Sequence, residues 1–386
     1  MQETKKRVVK NGIAFNGKTY SYVLRVPDPA TGRTKPKWVG GFNSEREAKL
    51  ARDKARVAIG NRDYTPPTRL SLSEYLDTWL ANKKVSTTTL ERYQSVIKHY
   101  IKPHLGAIKL QDLKPFHIQA LYTDMANNLG VTGKPLSDRS IQQTGVVLKM
   151  ALRHAVEVEN LLSVNPAQKI KLPRSVPKTP APFTTAELNT LLATAKSHRL
   201  YFYFRLSAYT GARRGELIAL RWTDFDGSSI TLNKSRVATK QGVIESNRTK
   251  GGLNYQRRVP LDAETIAEFT EHRKRQLDEA QKYLAVGAWH NTGFIFTQEN
   301  GLPLYPNTVS DLYRKLIKKA GLRYNRLHDA RHTHATELLR AGEPLHVVAH
   351  RLGHRDAMVT ATIYAHVDTE QSVSASETFA KAMRAN

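Results

Sequence analysis

The chain contains no cysteine. Disulfides, thiolate metal sites and cysteine nucleophiles are therefore excluded, and the composition suits a reducing compartment. It also lacks any run of about 18 apolar residues, so no helix is expected to span a bilayer. The basic cluster KKR at 5–7 is followed by only two valines before Lys10, far short of the apolar core of an export signal. No repeat or low-complexity tract is present. Acidic residues are scarce, with 34 Asp and Glu against 60 Lys and Arg and a formal charge of +26. A positive field of that size concentrates polyanions and is costly in self-repulsion unless neutralised, which makes nucleic acid the expected partner. What remains is ordinary globular composition, 40% hydrophobic and 24% charged over 386 residues, enough for two or three domains with their own cores.

The pattern along the chain predicts an α+β multidomain fold. Residues 1–64 hold 15 Lys and Arg against 6 Asp and Glu, a net of +9. YSYVLRV (20–26) and KPKWVGGF (35–42) read as strands around a turn, and Ser44 with Glu47 caps a helix bearing Ala48, Ala51, Ala55 and Ile59 on one face. A small three-stranded sheet with one helix is expected. Gly12, Gly17, Lys18 and Thr19 fit a phosphate-loop pattern, but Thr19 runs into a strand instead of a helix. Asn11-Gly12 and Asn16-Gly17 read as hairpin turns. Residues 65–172 form an all-helical segment. It opens at a Ser71/Glu74 capping box, continues with Leu90, Tyr93, Ile97, Tyr100 and Ile101 until Pro103, and includes a later helix bearing Ile141, Leu148, Ala151, Leu152 and Ala155. Four prolines in LPRSVPKTPAPF mark a linker at 173–183. From a Thr184/Glu187 capping box, residues 184–386 mix strands with mainly helical structure.

Residues able to carry chemistry concentrate in that last segment. TGARRGELIALRW (210–222) places Arg213 at the start of a predicted amphipathic helix with Leu217, Ile218 and Leu220 on its core side. NRTKGGLNYQRRVPL (247–261) reads as a hairpin with Gly251-Gly252 at its tip and Lys250 just before. RLHDARHTH (326–334) admits two readings. His328 and His332 with Asp329 approach the His-Glu-x-x-His pattern of zinc hydrolases, whereas His328 and Arg331 together suit a phosphate. The permanently cationic Arg331 would repel a divalent ion on that face, and Asp329 is one methylene shorter than the base the zinc motif requires. A further helix with Pro344 in its first turn and Gly353 past its end precedes His354, and VTATIYAH carries Tyr364. Taken alone, Arg213 and Lys250 read as solvated, His354 as a cap and Tyr364 as a packing residue.

In order, TGARRGE, RTKGG, LHDARHTHATELL, LGH and IYAH resemble the catalytic boxes of the tyrosine recombinases, the phage integrase family. TTLERY, LGAIKLQDL and VNPA resemble that family's core-type DNA-binding domain, and the basic N-terminal module resembles its arm-type domain, as in three-domain integrases of the lambda type. The resemblance implies Tyr364 as nucleophile, Arg213 and Arg331 as phosphate clamps, Lys250 as general acid, His328 and His354 as assistants and Glu216 as a buttress. The box pattern aligns Arg213, not Arg214, with the catalytic position. Arg25, Lys35 and Lys37 along a sheet edge, and Arg92 in the helical segment, are the candidate DNA contacts. No metal and no cofactor are implied. The expected partner is double-stranded DNA at core and arm attachment sites, bound by a homotetramer whose assembly uses the stretch bearing Phe379, Ala382 and Met383. A DNA-bending host protein and a directionality factor are further partners, and the setting is the cytoplasm of a bacterial host, at the nucleoid, with no membrane role.

The chemistry explains why these residue types recur. A phosphodiester transition state spreads charge over its nonbridging oxygens, which planar guanidinium forks match at two points. A phenol with pKa near 10 is only about a thousandth ionised at neutral pH, so it needs nearby cations and a base. Attack yields a 3′-phosphotyrosyl ester and a 5′ hydroxyl, and one ester replaces another without ATP. Three rivals stand beside this reading: a non-catalytic sequence-specific DNA-binding protein, a type IB topoisomerase-like activity and a metallohydrolase.

Overall fold

A computed structural model describes residues 8–27, 34–60, 65, 67–127, 134–173, 182–246, 248–249, 252–253, 256–354, 361 and 383–384. The fold is α+β, mostly helical, in two compact units, Met1–Pro177 and Lys178–Asn386.

The first strands, β1 (Val8–Lys10), β2 (Ile13–Phe15), β3 (Tyr20–Pro27) and β4 (Thr34–Phe42), make an antiparallel meander in the order β1-β2-β3-β4. The sheet thus has four strands and not the expected three. Asn11 and Gly12 both take positive φ, 52° and 74°, the conformation a two-residue hairpin demands, so the apparent phosphate loop is turn chemistry. The extra strand was legible in that turn. Helix α1 (Glu45–Gly60) lays Ala48 and Ala55 on Tyr22, Leu24 and Val26, the small side chains allowing close approach to the sheet. The register pairs Leu24 with Lys37 and Val26 with Lys35, while Arg25 pairs with Pro36. Facing residues share a side of the sheet, so Lys35 and Lys37 lie on the α1 side and Arg25 on the other. The trio is therefore not one surface.

The helical segment comprises α2 (Leu72–Ala81), α3 (Thr87–Val96), α4 (Lys102–Leu105), α5 (Pro115–Asn127) and α6 (Asp138–Glu157). Ser71 and Glu74 form the reciprocal cap of α2, and Tyr75, Leu76 and Trp79 are buried, with the Tyr75 hydroxyl donating to the Ala151 carbonyl at 2.7 Å. The helix of α3 does not stop at Pro103. A π-turn at Ile97–Ile101 leads straight into α4, whose first turn holds the proline. A widened turn relieves the clash between the proline ring and the preceding carbonyls, and the missing N–H costs little at a helix start. Asn165 of the VNPA stretch binds the Lys149 carbonyl through Nδ2 and the Ala167 N–H through Oδ1, fastening the chain after α6.

The second unit begins inside the expected linker, because Phe183 is 1% exposed and belongs to its core. Residues 174–181 lie outside the described residues. The unit contains α7 (Thr185–Ala195), α8 (Tyr201–Thr210), α9 (Arg214–Leu217), strands β5 (Ser229–Leu232), β6 (Ser235–Thr239), β7 (Gly242–Ser246), β8 (Arg248–Thr249), β9 (Gly252–Leu253) and β10 (Arg257–Pro260), then α10 (Ala263–Leu284), α11 (Pro306–Lys319), α12 (Asp329–Arg340) and α13 (Leu345–Leu352). The strands pair antiparallel as β5 with β10, β6 with β7 and β8 with β9. The expected helix after Arg213 is a single turn, and Leu217, Ile218, Ala219 and Leu220 are all buried. A run buried on every side leaves no polar face, which is why amphipathic spacing misjudged its length. Gly252 pairs with Thr249 and so lies in a strand instead of at the hairpin tip. Gly342 is exposed just past the end of α12, with φ 88°.

Candidate active site

Two helix ends converge in the second unit. Helix α8 closes at Gly211 (φ 61°) and α13 at Gly353 (φ 69°), both left-handed caps. A side chain at Gly211 would meet Leu352 Cδ2 at 2.7 Å and His334 Cδ2 at 2.8 Å, so only glycine permits this approach. The last carbonyls of a helix are unpaired and carry its negative dipole end, an environment that attracts cations.

Three arginines occupy it. Arg257 donates from Nε to the Arg351 carbonyl at 3.0 Å, Arg331 from Nη2 to the Leu352 carbonyl at 2.6 Å, and Arg213 from Nη2 to the Gly353 carbonyl at 3.1 Å. Three successive carbonyls thus each take one guanidinium. Arg331, 3% exposed, also reaches the Gly211 carbonyl from Nη1 at 2.8 Å and so ties both helix ends together. His354 follows Gly353 directly, within the combined field of these cations.

Glu216 supplies the negative charge beneath them. Only 2% exposed, it accepts from Arg213 N and Nη1, both at 2.9 Å, and from Arg257 Nη1 and Nη2 at 3.1 and 2.7 Å. Burial pushes its carboxyl pKa up, but hydrogen bonding and charge from Arg257, then Arg213, outweigh burial and hold it at about 2. Glu216 is therefore ionised at any working pH. The neighbouring Arg214 turns away to the Ser310 hydroxyl at 2.8 Å. Burial, reinforced by Arg331, Arg213, His332 and Arg257, lowers the His354 imidazole to about 4. It is neutral at pH 7, with one nitrogen to donate and one to accept.

His328 stands exposed at the start of α12, its ring 5.4 Å from that of His332 in an edge-to-face arrangement. His332 is lowered by burial and by Arg331 and Arg326, against an opposing pull from Asp329. Asp329 is fully buried and engaged by Arg326 through N, Nε and Nη2 at 2.8–3.0 Å, so it cannot serve as the base of a zinc motif. Among the described residues no group of three His, Asp or Glu is placed to hold a metal ion. Lys250 and Tyr364 lie outside the described residues. Arg92 is exposed, its guanidinium 5.6 Å from the Tyr93 ring centre.

Arg257 and Arg351 escaped the sequence reading. Arg351 docks α13 by donating to His334 Nε2 at 3.1 Å and to the Tyr209 carbonyl at 3.1 Å. A signal for Arg257 existed: in RRVP the strand alternation points Arg257 inward with Val259, and a buried arginine requires a carboxylate.

A buried carboxylate thus holds guanidiniums at a helix end beside a neutral imidazole, donors of the kind that suit a phosphate ester. Residues 182–371 match the phage integrase family, 71–126 its N-terminal SAM-like domain and 13–57 an arm DNA-binding domain. A tyrosine recombinase XerC-like protein of Caldanaerobacter subterraneus subsp. tengcongensis is 30% identical over 96% of this chain and 98% of its own length. The ICEBs1 integrase of Bacillus subtilis is 27% identical over 88% of this chain and 90% of its own. Among solved structures, the Tn1549 transposon integrase in complex with transposon right end DNA superposes with a TM-score of 0.64, at 18% identity over 78% of this chain and 99% of its own. A lambda integrase tetramer bound to a Holliday junction gives 0.59, at 19% identity over 93% and 96%. The chain belongs to the phage integrase family of tyrosine recombinases, enzymes of site-specific DNA breaking and rejoining.

Proposed function

We propose that the α13 end is where the scissile phosphate binds, with Arg213 and Arg331 as its clamps and His354 donating to a nonbridging oxygen. The single observation that carries this reading is the convergence of Arg213, Arg331 and His354 on successive positions of one helix terminus. Tyr364 attacks phosphorus through its phenolic oxygen while His328 accepts the proton. The bond to the 5′ oxygen breaks, Lys250 protonates that oxygen, and the chain retains a 3′-phosphotyrosyl ester. Attack by another strand's 5′ hydroxyl reverses the step and releases the tyrosine.

Residues 1–64 serve as the arm-binding domain, 65–172 as the core-binding domain and 184–386 as the catalytic domain, joined by the linker at 173–183. The substrate is duplex DNA at core and arm sites, bound as a tetramer, like the lambda integrase on its junction. With α1 covering one side of the N-terminal sheet, Arg25 on the other side is the stronger arm-DNA contact, and Arg92 contacts core DNA. A host DNA-bending protein and a directionality factor complete the assembly in the bacterial cytoplasm, at the nucleoid. Among the described residues no helix is long and apolar enough to cross a membrane.

Chelation tests the assignment of roles. Cleavage of a nicked core-site duplex is expected to persist in EDTA, since every charge in the scheme belongs to a side chain. Cleavage lost on chelation and regained with zinc or magnesium would return His328 and His332 to a metal reading.

A further inference from the structure

The phosphate clamp is itself held by a residue that cannot touch DNA. Arg257 enters from β10 with its side chain fully buried, and all three of its guanidinium nitrogens are committed. Two go to the oxygens of Glu216, and Nε goes to the Arg351 carbonyl, one residue before the carbonyl that Arg331 holds. Gly353 packs on the guanidinium so closely that a Cβ there would lie 2.7 Å from Nη1. Arg257 thus bridges the carboxylate that orients Arg213 and the helix end that presents His354. From this geometry we propose that Arg257 is a positioning residue for DNA cleavage. It keeps Glu216 ionised and fixes the α13 terminus, so that Arg213 and His354 face the phosphate in one arrangement. The inference rests on the phosphate-clamp reading above.

The charged groups around Glu216 make the role testable. Arg213 faces it from the start of α9 and Arg257 from β10. His354, beyond the α13 end, feels both arginines, and Arg236 of β6 is turned instead to the Phe294 ring, 4.8 Å away. Without Arg257, one cation remains to oppose the burial of Glu216, and its carboxyl pKa rises. When Glu216 takes up a proton, Arg213 loses its partner.

The test is the single-turnover cleavage rate of the full chain on a nicked core-site duplex between pH 5 and 9, for wild type, R257M, R257K and E216Q/R257M, with DNA affinity and thermal melting alongside. R257M is expected to lose about 10²-fold in rate at pH 7, as for a misplaced preorganised donor. Its affinity should hold, and it should gain an acid limb, with the rate falling further as pH drops. R257K, which keeps the charge but not the two-point grip, should recover part of the rate and shift the limb back. In E216Q/R257M the limb should vanish, because the titrating group has gone. A loss uniform across pH and matched by loss of folded protein would overturn the proposal, as would an R257M profile like that of wild type. If R257M does not fold, the lysine variant decides: R257K should be slower than wild type and show an acid limb that wild type lacks, and an R257K rate and profile identical to those of wild type refute the role. Arg213→Ala, assayed in parallel, separates the two readings. Normal cleavage by R213A would retire the clamp itself, whereas a silent R213A beside an unperturbed R257M would retire only the positioning role.

Discussion

Replacing Arg331 by lysine keeps a positive charge and removes a planar fork. In the folded chain the guanidinium spans two helix ends, donating to the Gly211 carbonyl at 2.8 Å and the Leu352 carbonyl at 2.6 Å, with 3% of the residue exposed. An ammonium is a point donor and cannot span both carbonyls while also facing a phosphate. Loss of one preorganised donor to a developing oxyanion costs about 2.7–4 kcal/mol, a factor of about 10²–10³ in rate. Each buried carbonyl left without its donor costs about 1–3 kcal/mol of stability, so the variant is also expected to melt earlier. Three measurements separate these effects: covalent capture on a nicked substrate under single-turnover conditions, affinity for intact core DNA, and the thermal melt. At a temperature where the variant is fully folded, capture should fall about 10²–10³-fold and affinity less than about tenfold. Equal losses in capture and affinity would make Arg331 a binding residue only, and the reasoning would fail.

Three further outcomes follow from the same account. Lys250→Ala should be slow on ordinary DNA and recover on a substrate with sulfur at the 5′ leaving position, since a thiolate departs without a proton; absence of rescue removes the general-acid role. Deleting residues 1–64 should erase footprints on arm sequences while leaving core-site cleavage intact, and a uniform loss on all DNA would instead mark that module as a nonspecific basic face. Burial lowers the imidazoles of His272 and His354 to about 4 and of His334 to about 3, against 6.5 when solvated. The unfolded chain therefore binds more protons below about pH 6.5, so catalytic-unit stability is full above that pH and declines as pH falls toward 4. A melting temperature unchanged from pH 7 to 5 would contradict those burials.

Much of the architecture was legible because period and punctuation agree. The reciprocal caps at Ser71/Glu74 and Thr184/Glu187 form as spaced, and the 3.6-residue stripes of α2 and α6 are the ones buried. The failures have local causes. A π-turn carried a helix through Pro103, and the short apolar run after Arg213 is buried all round, so its spacing held no face to read. Phe183 sits in the core, which the proline-rich composition of the stretch it ends does not indicate. At the site, the motif boxes selected residues that meet at one helix terminus, Arg213, Arg331 and His354. They do not include Arg257, whose burial the RRVP alternation signals but whose partner on α9 no local pattern names.

The central claim is that DNA is broken by attack of one phenol, and covalent capture tests it most directly. The full chain is incubated with a cognate duplex nicked so that the released fragment diffuses away, and the DNA-linked peptide is then sequenced. The account predicts a single adduct on Tyr364, a 3′ linkage, and no adduct from Tyr364→Phe, which keeps core-DNA affinity. An adduct on another residue, or cleavage by the phenylalanine variant at the wild-type rate, would contradict it.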